Sequence, residues 1–223
     1  MKKILVVLLL LGIVFIANTQ ETQAAIIDFG RVYVTTGTIS YNGGSAALLG
    51  SDIVFDIVSD GSAINSRNLL NGRLNFTTGL FTGSTPNTWV FAPGGNISVT
   101  GTVDINGDGL VDSGDITGTL MSGSFIGSPT VFDTGTSFKV SALAFEDTKN
   151  DDLAKLFGFE TGLEWNGAFN LSFSAQGTPA AAFSSTAVYS GDIVNQPAVP
   201  EPTSMVLLGM GILGLFGLGK KKL

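Results

Sequence analysis

The stretch Asn96-Ile-Ser-Val-Thr-Gly-Thr-Val-Asp-Ile105 alternates between polar and apolar side chains along its length. Its apolar face carries Ile97, Val99, Val103 and Ile105 with Gly101 between them, and its polar face carries Asn96, Ser98, Thr100, Thr102 and Asp104. The segment 169–175, Phe-Asn-Leu-Ser-Phe-Ser-Ala, alternates in the same way. A period of two is typical of half-buried antiparallel strands, because successive side chains of a strand point to opposite faces. Both stretches therefore predict an all-β protein.

Further runs rich in β-branched and aromatic residues bring the expected total to about eight or nine strands. The additional candidates are 31–41, 52–59, 73–77, 88–92, 116–122, 137–145 and 187–194. Strands at this spacing favour a single domain built as an antiparallel β-sandwich or jelly roll. One segment has a helical pattern instead, because the Asn150-Asp151-Asp152 sequence supplies capping oxygens before apolar residues at helical spacing. This pattern predicts a short helix over Asp151–Phe159.

The first 24 residues have the organisation of a secretory signal peptide. Lys2 and Lys3 precede the apolar stretch 4–17, and a polar region leads to the small residues Ala24 and Ala25. A charged start, a short apolar segment and a small-residue cleavage site are the three parts of such a signal. We expect cleavage between Ala24 and Ala25 and export of the chain; an uncleaved N-terminal helix is the less favoured alternative.

Residues 199–223 combine three features in a fixed order. A proline-bracketed glutamate comes first, an apolar run over 205–219 follows, and a lysine cluster precedes the final leucine. A hydrophobic helix over the run would be about 22 Å long, shorter than the ~30 Å hydrocarbon core of a bilayer. Five of its residues are glycines, which weaken an isolated helix. The run therefore suits a temporary membrane stop better than a permanent anchor, which is the alternative interpretation.

This tail, Val199-Pro-Glu-Pro-Thr-Ser followed by the apolar run and Lys220, Lys221 and Lys222, resembles the PEP-CTERM sorting signal of exopolysaccharide-producing Gram-negative bacteria. In that family a membrane-embedded enzyme, exosortase, recognises the Pro-Glu-Pro motif and removes the tail. The resemblance implies that Pro200, Glu201 and Pro202 are the sorting motif. It also implies an exosortase-like partner, a transient stay in the inner membrane, and final placement at the cell surface or outside the cell.

The chain thus divides into a signal peptide (1–24), a β-sandwich domain (25–195) and a sorting signal with its linker (196–223). Removal of the signal peptide and of the tail beyond Pro202 takes away five of the 11 Lys and Arg residues but only Glu21 of the 18 acidic residues. The exported part therefore carries a net charge of about −11, which argues against nucleic-acid binding, because that needs a basic face. The absence of cysteine and histidine excludes disulfides, Ser-His-Asp and Cys-His catalysis, and histidine-bound zinc.

The stretch 104–115, Asp-Ile-Asn-Gly-Asp-Gly-Leu-Val-Asp-Ser-Gly-Asp, resembles an EF-hand-type calcium loop. Its candidate ligands are the side chains of Asp104, Asn106, Asp108, Asp112 and Asp115 and the carbonyl of Leu110. The odd spacing lets one tight turn surround a hard cation with oxygens. Position 12 is Asp rather than Glu, and the flanks look like strands rather than helices. We predict a Ca²⁺ loop that bridges two strands and stabilises the fold; a solvated hairpin turn is the alternative.

The sequence favours a non-catalytic protein of the cell surface or the exopolysaccharide matrix. The alternative is a carbohydrate-binding module or a weak polysaccharide hydrolase delivered by the same route. Trp89 and Trp165 could stack on sugar rings, although tryptophans on strands are more often core residues. Glu146, Glu160 and Glu164 are the available acids for hydrolysis, whose separation the sequence does not give.

Overall fold

A computed structural model of the protein describes residues 26–30, 36–175, 177–178 and 180–198, with Leu143 described by its backbone only. The described part is built almost entirely from antiparallel strands, with one short helix. The prediction of an all-β, sandwich-like antiparallel fold is therefore confirmed. The predicted signal peptide (1–24), the start of the strand predicted over 31–41, and the tail from 199 to 223 lie outside the described residues.

Thirteen strands are present in the described chain. They are β1 (Ile27–Gly30), β2 (Thr38–Tyr41), β3 (Ala47–Val54), β4 (Ile57–Ser59), β5 (Arg67–Thr85), β6 (Thr88–Phe91), β7 (Gly94–Val103), β8 (Ile116–Phe125), β9 (Thr130–Asp133), β10 (Phe138–Lys149), β11 (Trp165–Phe173), β12 (Phe183–Ser185) and β13 (Val188–Pro197). The helix, α1, covers Asp151–Leu156 between β10 and β11.

The strands form one hydrogen-bonded network that closes on itself through β5. This strand of 19 residues pairs with β7 on one edge and with β3 and β4 on the other. From β4 the pairing continues through β1, β13, β11, β10 and β8 and returns to β7. A shorter path leads from β5 through β6 and β9 to β10. Because both paths start on β5, this long strand connects the two paths of the sheet.

The inward faces of these strands enclose a single aromatic-rich core. Phe76 of β5 packs against Phe169 of β11, with ring centroids 5.1 Å apart, although these two strands are not hydrogen-bonded to each other. Phe125 of β8 contacts both rings at 6.4 and 5.9 Å. Edge-to-face contacts of this kind join opposite walls of the fold, and burial of the rings supplies most of its stabilisation.

Two glycines make room for core rings in the neighbouring strand. Gly50 of β3 lies directly opposite Phe76, and Gly167 of β11 lies directly opposite Phe145 of β10. A Cβ atom at either glycine would overlap the opposing ring. The glycines at these two positions therefore serve close packing of the rings against the neighbouring backbone.

The strand containing Asn96–Ile105 keeps the predicted alternation only in its first half. Ile97 and Val99 are buried, but Thr102, Val103 and Asp104 are buried at three consecutive positions. The expectation that Thr102 and Asp104 face solvent is wrong, because Thr102 Oγ1 lies 3.1 Å from Thr117 Oγ1 of β8 and the Asp104 carboxylate accepts two N–H groups of the connection that follows β7. Val103 is buried together with Ile97 and Val99, on the predicted apolar face.

Other boundaries differ from the predicted ones for local reasons. The strand predicted over 52–59 is split into β3 and β4, because Phe55 and Asp56 turn to donate their N–H groups to Gly72 and Gly30. The short strands β1, β9 and β12 were not predicted, since strands of three or four residues carry too little periodicity. Helix α1 begins at Asp151 as predicted, with the Asn150 side chain accepting from two N–H groups of the first turn, but ends at Leu156.

One end of the sheet collects three connections and both ends of the described chain. The registers place the starts of β1, β5, β8 and β11 beside the ends of β4, β7, β10 and β13. The connections 60–66, 104–115 and 150–164 therefore lie together, with Ile26 and Ala198 beside them. We call this set of residues the loop end. The opposite end of the sheet, which carries Leu80 and Ile126, is called the far end.

Candidate functional site

The candidate calcium loop, residues 104–115, connects β7 to β8 at the loop end. Its first residue, Asp104, is 1% exposed, and its two carboxylate oxygens accept the N–H groups of Gly107 and Gly109 at 2.7 and 2.9 Å. Both glycines have positive φ, at 76° and 77°, which a residue with a side chain adopts only with strain. The buried aspartate and the two glycines thus fix the tight turn that the sequence predicted here.

The last residue of the loop, Asp115, ties its two sides together. One carboxylate oxygen accepts the Ile105 N–H at 3.0 Å and the other accepts the Asp112 N–H at 3.1 Å. Position 12 of the loop therefore braces the backbone in the same way as position 1. The carboxylates of Asp104 and Asp115 each satisfy two donors of the loop itself.

Three of the predicted ligand side chains converge on the outer side of the loop. The Asn106 side-chain amide donates to Asp108 Oδ2 at 3.1 Å and to Asp112 Oδ2 at 3.0 Å. All three residues are exposed. Leu110, predicted to contribute its carbonyl, donates its own N–H to Asp108 at 2.8 Å and has a side chain 66% exposed. No group of three or more Asp, Glu, His or Cys side chains within the described ranges is arranged to hold a metal ion.

A buried ion pair that the sequence did not predict lies near the loop end. Lys149 and Asp147, both on β10, contact each other with side chains 1% and 0% exposed. The Lys149 Nζ also lies 5.0 Å from the ring centroid of Trp165. Burial lowers the pKa of Lys149 to about 8 and raises the pKa of Asp147, while each partner opposes the shift of the other. Period-two alternation from the buried Phe145 would have indicated that both charges face inward.

A pair of acidic residues, Asp28 of β1 and Asp192 of β13, lies on the outer face of the sheet. Burial, with the charge of Asp192 as a smaller cause, raises the pKa of Asp28 to about 6. Burial also raises the pKa of Asp192, while the positive charge of Lys139 lowers it. Asp28 Oδ1 and Asn170 Oδ1 are both buried without a hydrogen-bond partner in the described part of the chain. This region carries polar groups that the fold itself does not fully satisfy.

The tryptophans and the glutamates considered for carbohydrate chemistry lie in different environments, the tryptophans in the core and the glutamates at the surface. Trp89 and Trp165 are 0% and 1% exposed, which confirms the expectation that both belong to the core. Trp89 packs on Phe138, and Trp165 on Phe159, with centroids 4.8 and 4.7 Å apart. Glu146 and Glu164 line one shallow depression of about 220 Å³ together with Asp147, Ser122, Ser124 and Thr148, whereas Glu160 does not line it.

The described fold continues to the edge of the predicted sorting signal. Strand β13 ends at Pro197, so Asn195, Gln196 and Pro197 belong to the sheet and not to the extended linker predicted from Asn195. The Ala198 N–H still donates to the Glu164 carbonyl at 2.8 Å. Pro200, Glu201, Pro202 and the lysine cluster lie outside the described residues, as do Ala24 and Ala25. Among the residues that the structure describes, no helix has the length and apolarity required to cross a membrane.

Comparison with known protein families finds a PEP-CTERM protein-sorting motif at residues 198–222. The match begins at the last residue of the described fold and includes the three residues predicted as the sorting motif. It covers the tail and not the domain, so it defines how the protein is sorted. Proteins that carry this motif are exported and targeted to exosortase at the membrane. Searches of curated proteins and of solved structures found no match.

We expect the free energy of unfolding to depend on whether one or both charges of the buried Lys149–Asp147 pair are removed. Lys149→Met leaves the Asp147 carboxylate buried without its partner, which should lower the free energy of unfolding by about 3–5 kcal/mol. The double variant Asp147→Leu with Lys149→Met removes both charges and should recover most of this loss. Urea unfolding at neutral pH measures both.

The exposed pair Lys155–Asp152, with side chains 61% and 73% exposed and 3.3 Å apart, supplies the control. Lys155→Met should have little effect, because solvent screens such a pair. Equal losses for Lys149→Met and Lys155→Met would contradict the importance that we assign to burial.

Proposed function

We propose that the protein is an exported, non-catalytic component of the cell surface or the exopolysaccharide matrix, released from the inner membrane by an exosortase-like enzyme. The observation that carries the proposal is the sorting motif at 198–222, which starts at the last residue of the described fold. Removal of the tail beyond Pro202 would leave every described strand intact. The domain can therefore fold before processing and keep its structure after it.

The body of the protein supports a structural rather than a catalytic role. Its composition excludes the common nucleophile–histidine pairs. Its aromatic side chains are used mainly to fill the core, including both tryptophans that a sugar-binding surface could have used. Carbohydrate binding is accordingly the second candidate, favoured only by the half-exposed Phe132, which lines a depression with Ser128, Thr130 and Ser141. Binding of the processed protein to the polysaccharide of its host would make carbohydrate binding the favoured function.

We further propose that the loop 104–115 binds Ca²⁺ and thereby stabilises the connection between β7 and β8. Support comes from the oxygen-bearing side chains at the spacing of calcium loops and from the convergence of Asn106, Asp108 and Asp112. Rotation of the Asn106 amide would present its oxygen at the point where its nitrogen now joins the two carboxylates. A hard cation bound between that oxygen and the two carboxylates would neutralise their charges, which the uncharged amide cannot do.

The sorting proposal predicts that Glu201→Ala abolishes removal of the tail. The wild-type protein, expressed in a Gram-negative host that has its own exosortase, should reach the medium or the cell envelope without the apolar run 205–219. The variant should stay in the membrane fraction with this run attached. Intact mass spectrometry of both fractions makes the measurement. Ser204→Ala, just outside the tripeptide, is the control and should be processed normally; processing of Glu201→Ala would reject the proposal.

The calcium proposal predicts a calcium-dependent increase in the thermal midpoint. A ligand present at 100 times its Kd stabilises the folded state by about 2.7 kcal/mol, so chelation should lower the midpoint measurably. Combining Asp108→Asn with Asp112→Asn should abolish the difference between calcium and chelator. Asp133→Asn changes an aspartate that caps a comparable turn outside the loop, by accepting the Gly135 N–H at 2.7 Å, and should leave the difference unchanged. Equal thermal midpoints of the wild-type protein with calcium and with chelator would reject the proposed calcium site.

A further inference from the structure

Large apolar side chains are unusually exposed at the loop end. Ile64 in the connection 60–66 is 90% exposed, and Leu110 and Val111 in the connection 104–115 are 66% and 55% exposed. The two connections are neighbours, because β5 begins where β7 ends and the Asp104 N–H donates to the Asn68 carbonyl at 3.0 Å. Exposed aliphatic residues grouped at the tips of adjacent loops mark an interaction surface more often than scattered ones do.

The position of the chain exit indicates what this surface meets. Ala198 leaves the fold at the loop end, and only residues 199–204 separate it from the apolar run that starts at Met205. Fully extended, this connection reaches at most about 25 Å. Strand β13 alone, with 10 residues, is about 33 Å long. While the apolar run is in a bilayer, the loop end is therefore held within about 25 Å of the lipid surface.

We propose that the loop end is a bilayer-docking surface, on which Ile64, Leu110 and Val111 enter the interfacial region of a phospholipid membrane while the tail is still attached. This inference rests on the proposed membrane stage of sorting. Apolar side chains that enter the boundary between headgroups and acyl chains strengthen membrane binding in proportion to the apolar area that they bury. Docking would fix the orientation of the domain and hold the Pro-Glu-Pro motif at the height of the headgroups.

The charges at the loop end define the kind of lipid. Exposed acids surround the aliphatic tips, among them Asp108, Asp112, Asp151, Asp152 and Glu160. Their exposed basic counterpart in the described connections is Lys155, which already pairs with Asp152 at 3.3 Å. Anionic headgroups would be repelled by this surface. The surface therefore suits a zwitterionic bilayer.

The absence of cysteine in the chain makes a direct test possible. The full chain is reconstituted in phosphatidylcholine vesicles, and an environment-sensitive fluorophore is attached through Leu110→Cys or Ile64→Cys. The matched controls are Leu80→Cys and Ile126→Cys at the far end, where the native side chains are 60% and 48% exposed. Vesicles containing nitroxide-labelled headgroups should quench the probes at 110 and 64 several-fold more than those at 80 and 126. Replacing Leu110 and Val111 together by glutamate should remove the quenching at position 64.

The outcomes separate this inference from the proposal on which it rests. A chain that fails to float with the vesicles has no membrane stage, and both ideas fall. A chain that floats but shows equal quenching at all four positions overturns the docking surface alone. Quenching at position 64 that survives the glutamate substitutions would also overturn it, because the short connection would then account for proximity without any contact by the aliphatic residues.

Discussion

The pairing of β1 with β13 is the constraint on which the rest of the structure depends. Ile27 lies opposite Asn195 and Gly30 opposite Asp192, so the start and the end of the described chain run side by side. Asn195 is fully buried and its amide donates to the Ile27 carbonyl at 3.2 Å. Because β1 also pairs with β4 and β13 with β11, this one contact closes the hydrogen-bonded circuit. It also places the chain exit among the loops of the loop end.

Closure of the sheet on itself stabilises a chain that has no cysteine for disulfides. Strand edges that would otherwise be open are paired along the main circuit, which reduces the sites at which another chain could add. The core is continuous and rich in phenylalanine, and glycines such as Gly50 and Gly167 allow rings of the adjacent strand to lie over the backbone. All the described strands of this core lie before the sorting motif at 198–222.

The sequence predicts this molecule well where the determining physics is local. The all-β class follows from alternation, the start of α1 from the capping oxygen of Asn150, and the tight turn of 104–115 from Asp104 with its two glycines. The sorting motif is equally local, because it is a single continuous stretch of sequence, 198–222. Each of these features is decided within one short segment of the chain.

What depends on pairing across the sheet could not be predicted in the same way. The burial of Thr102 beside Thr117 arises from the register of β7 against β8. The burial of Lys149 under Trp165 depends on the meeting of β10 and β11, which single-strand periodicity only hints at. The gathering of Ile64, Leu110 and the chain exit at one end requires the complete strand order. These are long-range consequences of topology.

The most direct test of this account is amide hydrogen exchange on the full chain, followed residue by residue across β1 and the end of β13. The account predicts that the amides of Phe29 and Ile193 exchange with the slow core, and that the Ala198 amide, bonded to Glu164, is still protected immediately before the sorting motif. Rapid exchange throughout 27–30 and 193–198 would contradict it, because the circuit would then be open and the chain exit would not be fixed at the loop end.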